Sequence, residues 1–219
     1  MPGVADVVLF DLDGTISDSQ RGILAALRHA FATRGVPSMD AATERAVLGP
    51  PFYESLPPLI GDVPLADVIE AYRTRYCSTM FDTDIYPGVA ELIVTLAAGG
   101  TRLALATSKP ESYAVKIVEH LGLAHHFEVL GGDALDGSRG TKALVIADVL
   151  RRLGDPDPAT VMMIGDREHD VLGARAHGVE TIGVRWGYGS AGELESANPY
   201  AIAASACEVR TILHGTITT

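Results

Sequence analysis

The second half of this chain alternates short apolar segments with helical ones, and this alternation limits its fold more than any other feature. Strand patterns are predicted at 102–106, 127–130, 161–164 and 181–184. Helical patterns lie between them, and strands joined in this way form right-handed βαβ units. A similar apolar strand, Val4 to Phe10, comes near the start of the chain. We therefore predict an α/β fold, with a parallel sheet covered by helices on both faces.

The segment from residue 18 to residue 84 has a different pattern, with no strand in it. Helices are predicted from about Ser19 to Arg34, within 52–60 and from Leu65 to about Phe81, and the middle one is interrupted by Pro57-Pro58. An all-helical segment is thus inserted into the α/β unit. We expect one domain formed by 1–17 and 85–219, and a second, helical domain formed by 18–84.

The charge of the chain restricts the kind of partner it can have. The formal net charge is −11 over 219 residues, and Lys and Arg form no basic run. Nucleic acid polymers and anionic membranes are therefore not expected as partners. A small anionic substrate is still allowed, because a metal ion and one or two cationic side chains can reverse the sign inside a pocket.

The two cysteines, Cys77 and Cys207, are far apart and have no CxxC or histidine companion. This spacing supports neither a disulfide scaffold nor a zinc site, and two buried thiols are predicted. The sequence shows no leader pattern and no apolar stretch of about 18 residues. We expect a soluble, cytoplasmic protein.

Two carboxylates, Asp11 and Asp13, follow directly after the first strand in the sequence Phe10-Asp11-Leu12-Asp13-Gly14-Thr15. Ligands of open α/β sheets bind at this edge, and residues two apart in an extended chain point the same way. Carboxylates this close need a cation or a shared proton, which predicts Mg²⁺ or acid–base chemistry. An Asx-type turn at Asp13-Gly14 is the alternative.

Further polar groups are predicted at the ends of later strands. Thr107 and Ser108 offer hydroxyls that suit a phosphate, or that simply cap the next helix. Lys142 follows a glycine-rich loop and either enters a pocket or lies on the surface. Asp166 and Asp170 flank a predicted helix start, where they can approach one centre or serve as caps.

Taken in order, these four groups resemble the motifs of the haloacid dehalogenase superfamily, and the resemblance covers essentially the whole chain. It implies a Rossmann-like core with an inserted helical cap. It also implies that Asp11 attacks phosphorus and becomes an aspartyl-phosphate. Asp13 would protonate the leaving oxygen and then activate the hydrolytic water.

The same resemblance implies a Mg²⁺ site. Four aspartates would form it: Asp11, Asp13 through its backbone carbonyl, Asp166, and Asp170 through water. Phosphoryl oxygens would be bound by Thr107 and Lys142, and Ser108 is a further phosphate-binding candidate. A metal and a lysine would offset the repulsion between an anionic nucleophile and an anionic phosphate.

The helical segment resembles the C1-type cap of the phosphoglycolate phosphatase and 5′-nucleotidase branch. Four local sequences carry this resemblance: 16–23, 49–51, 165–170 and 186–189. One residue departs from the pattern, because many relatives have Thr after Gly-Asp where this chain has Arg167. The roles of Arg167 and of His169 are left open at this stage.

Several alternatives are weighed against this prediction. The GxGxxG pattern at 187–192 comes too late in the chain for a dinucleotide fold, and a loop near the pocket is expected instead. A dehalogenase would not need Asp13, and a phosphonate hydrolase would need a cap lysine, which 18–84 lacks. A sugar phosphomutase, a protein phosphotransferase and a regulatory protein remain as alternatives.

We therefore predict a Mg²⁺-dependent phosphatase for a small phosphate monoester, either a nucleoside 5′-monophosphate or phosphoglycolate. The loop 49–55 should face the substrate, and it carries Phe52, Tyr53 and Ser55 but no Arg or Lys. This favours the nucleotide slightly, although Arg21 or Arg45 could supply a cation for phosphoglycolate. The oligomeric state is not predicted.

Overall fold

The strands lie side by side in one main sheet. The structure, a computed structural model, describes residues 5–215, so Val4 of the predicted first strand and residues 216–219 lie outside it. The strands are β1 (Val7–Phe10), β2 (Ser17–Asp18), β3 (Asp84–Ile85), β4 (Arg102–Pro110), β5 (Val129–Asp133), β6 (Val161–Gly165), β7 (Glu180–Val184) and β8 (Ala201–Ala203). Six of them pair in parallel in the order β5-β4-β1-β6-β7-β8. The predicted parallel sheet is confirmed.

Helices cover both faces of this sheet. They are α1 (Gln20–Arg34), α2 (Ala41–Ala46), α3 (Phe52–Ser55), α4 (Pro57–Ile60), α5 (Leu65–Thr79), α6 (Val89–Ala98), α7 (Glu111–His120), α8 (Lys142–Arg152), α9 (Glu168–Arg175), α10 (Glu193–Ala197) and α11 (Ala206–Leu213). Short 3₁₀ turns lie at Ala124–His126 and Pro158–Thr160. No helix within residues 5–215 has the length and apolar character that crossing a membrane requires.

Side chains of β1 alternate between two apolar cores. Val8 and Phe10 belong to the core that includes residues of α6, α7 and α11, whereas Val7 and Leu9 belong to the core formed with α8 and α9. This alternation follows from the period of two along a strand. Every residue of β1 is buried, which explains why its sequence is continuously apolar.

The register of the sheet brings three strand ends to one edge. Phe10 lies opposite Leu105 of β4 and Ile164 of β6. Because parallel strands all end at the same edge, the residues that follow Phe10, Leu105 and Ile164 come together there. The site is therefore expected at the carboxyl ends of β1, β4 and β6.

The helical segment 18–84, which we call the cap, leaves and re-enters the α/β unit through the antiparallel pair β2–β3. Ser17 pairs with Ile85 and Asp18 with Asp84, at the boundaries predicted for the cap. Helices α1 to α5 all lie between these two strands, and α1 packs against α5 along its length. Treating the cap as a separate domain remains our proposal.

Several elements differ from the sequence prediction. Strand β4 continues through Pro110 with an irregular register after Thr107, so α7 begins one residue later than predicted. The predicted helix within 52–60 is split at Leu56, because Pro57 has no N–H to donate. Helix α2, strands β2 and β3, and the elements after Val184 were not predicted, since short elements carry too few residues for a periodic pattern.

The prediction of two buried thiols is wrong, because Cys77 and Cys207 are both exposed free cysteines. Cys77 follows Tyr76 on α5, whose buried residues Val68, Tyr72 and Tyr76 recur every four positions. The next position along a helix therefore points away from that buried stripe. Cys207 lies beside buried Ala206 on α11 in the same way.

Gly22 sets the distance between α1 and α5. A Cβ added there would overlap the backbone carbonyl of Thr79, and the Thr79 hydroxyl donates to the Gly22 carbonyl at 3.0 Å. Replacing glycine by alanine within an exposed helix ordinarily stabilises it by about 1 kcal/mol. At Gly22 we expect the opposite sign, because the two helix backbones must move apart.

We predict that Gly22→Ala lowers the free energy of unfolding by about 1–3 kcal/mol, the usual cost of overpacking. Urea denaturation measures it. Gly99→Ala is the matched control, because Gly99 has right-handed helical angles and a Cβ there would come no closer than 3.3 Å, to the Thr95 carbonyl of the same helix. A Gly22→Ala protein that is as stable as wild type would contradict this account of the α1–α5 contact.

Candidate active site

Three carboxylates meet at the carboxyl ends of β1 and β6. Asp11 follows β1, Asp166 follows β6, and Asp170 lies in the first turn of α9. One oxygen from each lies within 4.8 Å of the others, and all three residues are buried. The expectation that Asp166 and Asp170 approach one centre is therefore met, and Asp11 shares that centre.

The charges of these three groups are only partly balanced. Burial, together with the negative charges of Asp170 and Asp11, raises the pKa of Asp166 well above its ordinary value. Asp166 is held in place by the Tyr188 amide, which donates to it at 2.7 Å, and by the Thr15 hydroxyl at 3.3 Å. Oδ1 of Asp11 and Oδ1 of Asp170 accept no well-directed hydrogen bond from the described residues. Buried oxygen ligands with this excess of negative charge fit a hard divalent cation such as Mg²⁺.

Lys142 is buried beside the same carboxylates, so the interpretation of this residue as a surface lysine is wrong. Its Nζ lies 2.8 Å from Asp11 Oδ1 and 2.7 Å from Asp170 Oδ1, and it donates to the Ala106 carbonyl at 3.0 Å. Burial favours the neutral amine, but Asp11 and Asp170 raise the pKa of Lys142 above its ordinary value. The lysine stem passes beside Gly173 of α9, where a Cβ would come within 2.8 Å of it.

Thr107 and Ser108 lie within β4 and do not cap a helix. The residue that precedes α7 is Pro110, so the N-capping interpretation of these two hydroxyls is wrong. Thr107 is buried at the strand edge, and its hydroxyl accepts from the Lys109 amide at 3.3 Å. Ser108 lines a cavity, which Asp13 also lines.

Asp13 points into that cavity and pairs with a lysine that the sequence analysis missed. Lys109 Nζ lies 2.9 Å from Asp13 Oδ2 and donates to the Tyr76 hydroxyl of α5 at 2.8 Å. The Ser19 hydroxyl donates to the other oxygen of Asp13. Burial opposes ionisation of Lys109, but the charge of Asp13 raises its pKa. The sequence feature that could have identified Lys109 is its position directly after Thr107 and Ser108, at the end of a predicted strand.

A cavity of about 250 Å³ separates the cap from the sheet edge. Asp13, Ser108 and Lys109 form its floor, and the cap loop from Val47 to Tyr53 lines one side. Of the loop 49–55 that we expect to face the substrate, residues 49–53 line the cavity, whereas Glu54 and Ser55 do not. The loop 133–137 at the end of β5 lines another side.

Aromatic rings form the apolar wall of the cavity. Phe52 meets Tyr72 edge to face at 4.8 Å, Tyr72 stacks on Tyr76 at 5.1 Å, and Tyr76 meets Tyr113 edge to face at 5.6 Å. Tyr72 and Tyr76 come from α5, whereas Tyr113 comes from α7. The wall thus joins the cap to the sheet, and Asp13 lines the same cavity.

This arrangement can be compared with known proteins. The model of the family described as "Haloacid dehalogenase-like hydrolase" matches residues 8–184, which include all the carboxylates of the site. The chain belongs to the haloacid dehalogenase-like hydrolase family. The resemblance inferred from the sequence motifs is confirmed.

Relatives within the haloacid dehalogenase-like family have different names. The tyrosine-protein kinase PtkA of Mycobacterium tuberculosis is 42% identical over 84% of this chain, which spans 64% of that relative's length. A 5′-nucleotidase of Pseudomonas aeruginosa is 34% identical over 94% of both chains. The solved structure of a predicted phosphatase from Clostridium acetobutylicum has a TM-score of 0.90, 33% identity, and coverage of 96% of this chain and 99% of that one. The family and these phosphatases support the prediction of a phosphatase.

The GxGxxG loop of this family member closes over the carboxylates. Gly187 packs directly on Asp166, and the next residue, Tyr188, donates its amide to the same carboxylate. The Tyr188 hydroxyl accepts from the Ser19 amide at 2.8 Å and donates to Asp18 at 3.1 Å. The expected loop near the pocket is observed, and its glycines allow close approach to Asp166.

The two residues left open by the sequence lie on either side of α9's first residue. His169 is half-buried in the first turn of α9. Arg167 turns away from the carboxylates, and its Nε donates to Glu193 at 2.6 Å. Its Nη1 donates to the Leu48 carbonyl of the cap. Arg167 therefore connects the cap with the loop that carries Asp166.

We predict that Asp166→Asn removes the stabilising effect of Mg²⁺. Without metal the variant should be at least as stable as wild type, because one of three mutually repelling carboxylates is neutralised. Mg²⁺ at 100 times its dissociation constant should stabilise the wild type by about 2.7 kcal/mol and the variant far less. Thermal unfolding in chelator and in Mg²⁺ measures both. The exposed Asp62→Asn is the control, and an equal Mg²⁺ response of Asp166→Asn would contradict the metal site.

Proposed function

We propose that this protein is a Mg²⁺-dependent phosphatase that hydrolyses a small phosphate monoester through a covalent intermediate on Asp11. The single observation that carries the proposal is the cluster of Asp11, Asp166 and Asp170 around Lys142, next to a cavity that Asp13 enters. An anionic nucleophile can approach an anionic phosphate only where nearby cations offset the repulsion. The family and its phosphatase members support the same reaction.

Each side chain has a defined part in the proposed reaction. A carboxylate oxygen of Asp11 attacks phosphorus, and the bond from phosphorus to the ester oxygen breaks. Asp13 gives a proton to that leaving oxygen. Water then attacks the aspartyl-phosphate, its proton returns to Asp13, and Asp11 and inorganic phosphate are released.

The metal and phosphate ligands support this reaction by charge. Asp11, Asp166, Asp170 and the Asp13 carbonyl are the proposed Mg²⁺ ligands, and bound Mg²⁺ would supply positive charge for the phosphoryl oxygens. Lys142, which already contacts Asp11, would stabilise the same oxygens. Thr107 and Ser108 are proposed to bind the phosphate from the β4 edge.

The cavity favours a leaving group that is flat and uncharged. Its wall is aromatic, and a base can stack there at modest cost. The charged residues that line it are Asp13, Asp133, Asp136, Lys109 and Arg73. Carboxylates outnumber cations in this set, and Lys109 is already paired with Asp13. We therefore propose a nucleoside 5′-monophosphate rather than phosphoglycolate. The carboxylate of phosphoglycolate needs a free cation, and Arg73, the remaining cation of this lining, donates to the Leu135 carbonyl.

Arg73 bears on one of the alternatives to a phosphatase. The loop 49–55 has no Arg or Lys to bind a second phosphate, which counts against a sugar phosphomutase. Arg73 comes from α5 instead, and it donates to the Leu135 carbonyl at the cavity. A cation is therefore present at the cavity, although outside that loop. The phosphatase proposal rests on the carboxylate cluster around Lys142.

A protein phosphotransferase is the second candidate, because the PtkA relative is named as a tyrosine kinase and is 42% identical. The cap loop from Val47 to Tyr53 lines the cavity, which favours a free small molecule over a residue on the surface of a folded protein.

We predict that Asp11→Asn lowers phosphate release at least about 10³-fold with any substrate, because the amide is not a nucleophile.

We predict that Asp13→Asn lowers phosphate release about 10²–10⁴-fold with an alkyl phosphate, the usual contribution of general acid–base catalysis. The loss should be smaller with an aryl phosphate, whose leaving oxygen does not need a proton. Steady-state phosphate release measures both variants, with Asp62→Asn as the control.

Three results would contradict this proposal. A tenth of the wild-type activity in Asp11→Asn would exclude it as the nucleophile. Equal losses with alkyl and aryl phosphates in Asp13→Asn would exclude proton transfer to the leaving group. Full activity after complete removal of metal by a chelator would exclude the Mg²⁺ dependence.

We predict that a nucleoside 5′-monophosphate exceeds phosphoglycolate in kcat/KM at least tenfold, about 1.4 kcal/mol of transition-state binding. A panel of both compounds and hexose phosphates, measured by released phosphate, tests this. Phe52→Ala should reduce the preference, because it removes part of the aromatic wall. A tenfold preference for phosphoglycolate would reverse the substrate assignment. Transfer from ATP to protein tyrosine without phosphate release would favour the kinase alternative.

A further inference from the structure

Arg167 makes the buried polar connection between the cap and the loop of the metal ligands. Its guanidinium donates through Nε to Glu193 at 2.6 Å and through Nη1 to the Leu48 carbonyl. The side chains of Arg167 and Glu193 are only 13% and 8% exposed. A guanidinium can do this because its donors point in several fixed directions.

The cap residue that follows Leu48 is shaped to accept this arginine. Gly49 has φ = +103°, and a Cβ at this position would come within 2.8 Å of Arg167 Nη1. Gly49 then leads into the segment Pro50 to Tyr53, which lines the cavity. The position of the substrate-facing loop is thus set next to the point where Arg167 holds it.

The far end of the ion pair is itself fixed to the core. Glu193 accepts from the Glu168 amide at 3.1 Å and from the Ser190 amide at 2.9 Å. Burial opposes ionisation of this carboxyl, but hydrogen bonds from Arg167, Ser190 and Glu168 lower the pKa of Glu193 to about 2. Glu193 therefore anchors Arg167 to the backbone of α9 and of the GxGxxG loop.

We propose that Arg167 is a positioning residue that holds the cap loop 47–53 closed over the active site. This inference rests on the proposed function for its effect on turnover, but not for its effect on the loop. Asp166 and Arg167 are adjacent, so one short segment carries both a proposed metal ligand and the contact that closes the cap. A threonine at this position, as in many relatives, is too short to reach Glu193 and Leu48 together.

The consequence for the reaction is specific. Loss of the contact should leave Asp11, Asp166 and Lys142 in place but let the aromatic wall move away from the cavity. The KM of a substrate that contacts the wall should then rise. A small substrate that does not reach the wall, such as methyl phosphate, should be affected much less.

Arg167→Thr tests the proposal, with Arg45→Thr as the matched control. Arg45 also reaches from the cap to the core, but through an exposed hydrogen bond of 3.4 Å to the Gly189 carbonyl. Hydrogen–deuterium exchange should become about tenfold faster in amides of 47–56 in Arg167→Thr, and stay unchanged in Arg45→Thr. The KM of the nucleotide should rise about tenfold in Arg167→Thr, and that of methyl phosphate less than twofold.

The exchange measurement needs no activity, so it separates failure of this inference from failure of the proposed function. Unchanged exchange in 47–56 would overturn the positioning role, whichever substrate is hydrolysed. Faster exchange throughout the sheet would also overturn it, because Arg167 would then be a general stabiliser of the fold.

A second variant covers the case in which Arg167→Thr does not fold because Glu193 is left as a buried unpaired charge. The double variant Arg167→Met/Glu193→Gln removes both charges together and should show the same local exchange in 47–56. Arg167→Lys keeps the charge, reaches Glu193 and cannot also reach Leu48. It should therefore restore stability but not the slow exchange of the loop, and full restoration of both would count against the Leu48 contact.

Discussion

The balance of charge around Lys142 is the interaction on which the rest of the site depends. One ammonium contacts Asp11 and Asp170, while Asp166 completes a set of three buried carboxylates. A single cation cannot neutralise three anions, so the fold places unfavourable charge at the end of its most buried strands. Such a cluster is tolerated in a core that is stabilised elsewhere, and it is relieved when a divalent cation binds. The two apolar cores on either side of β1 supply that stabilisation.

A second charge pair connects this centre to the cap. Lys109 contacts Asp13 on one side and Tyr76 of the cap helix α5 on the other. The residue proposed to move protons thus shares a lysine with the aromatic wall that would contact the leaving group. Arg167 makes a separate link, from the loop of Asp166 to the carbonyl of Leu48. Cap position and site chemistry are therefore coupled through Lys109 and Arg167, in addition to the contacts of Tyr188 with Asp18 and Ser19.

The sequence predicted the parts of the fold that carry long-range patterns. Apolar strands that end in Asp11, Thr107 and Asp166 were recognisable, because parallel strands bury both faces and place their ligands at one edge. Lys109 and Arg73 were missed, because a single cation on a strand or a helix has the same local pattern whether it is buried or exposed. Whether such a cation lines the cavity depends on which segments the topology brings opposite it. The prediction that Cys77 and Cys207 are buried was wrong for a related reason. It relied on the residue type, whereas the position on the helix determines whether the side chain is exposed.

The GxGxxG loop shows that a sequence pattern can predict a local backbone geometry correctly without identifying the group that the backbone contacts. Glycines in such loops permit close approach of the backbone to a charged group, which in dinucleotide folds is a pyrophosphate. Here Gly14 and Gly187 both pack against the Asp166 carboxylate, and Gly165 packs against Asp170. A side chain at any of these three positions would displace a proposed metal ligand. In this protein the glycine backbone therefore approaches carboxylates of the chain itself, Asp166 and Asp170, instead of a bound pyrophosphate.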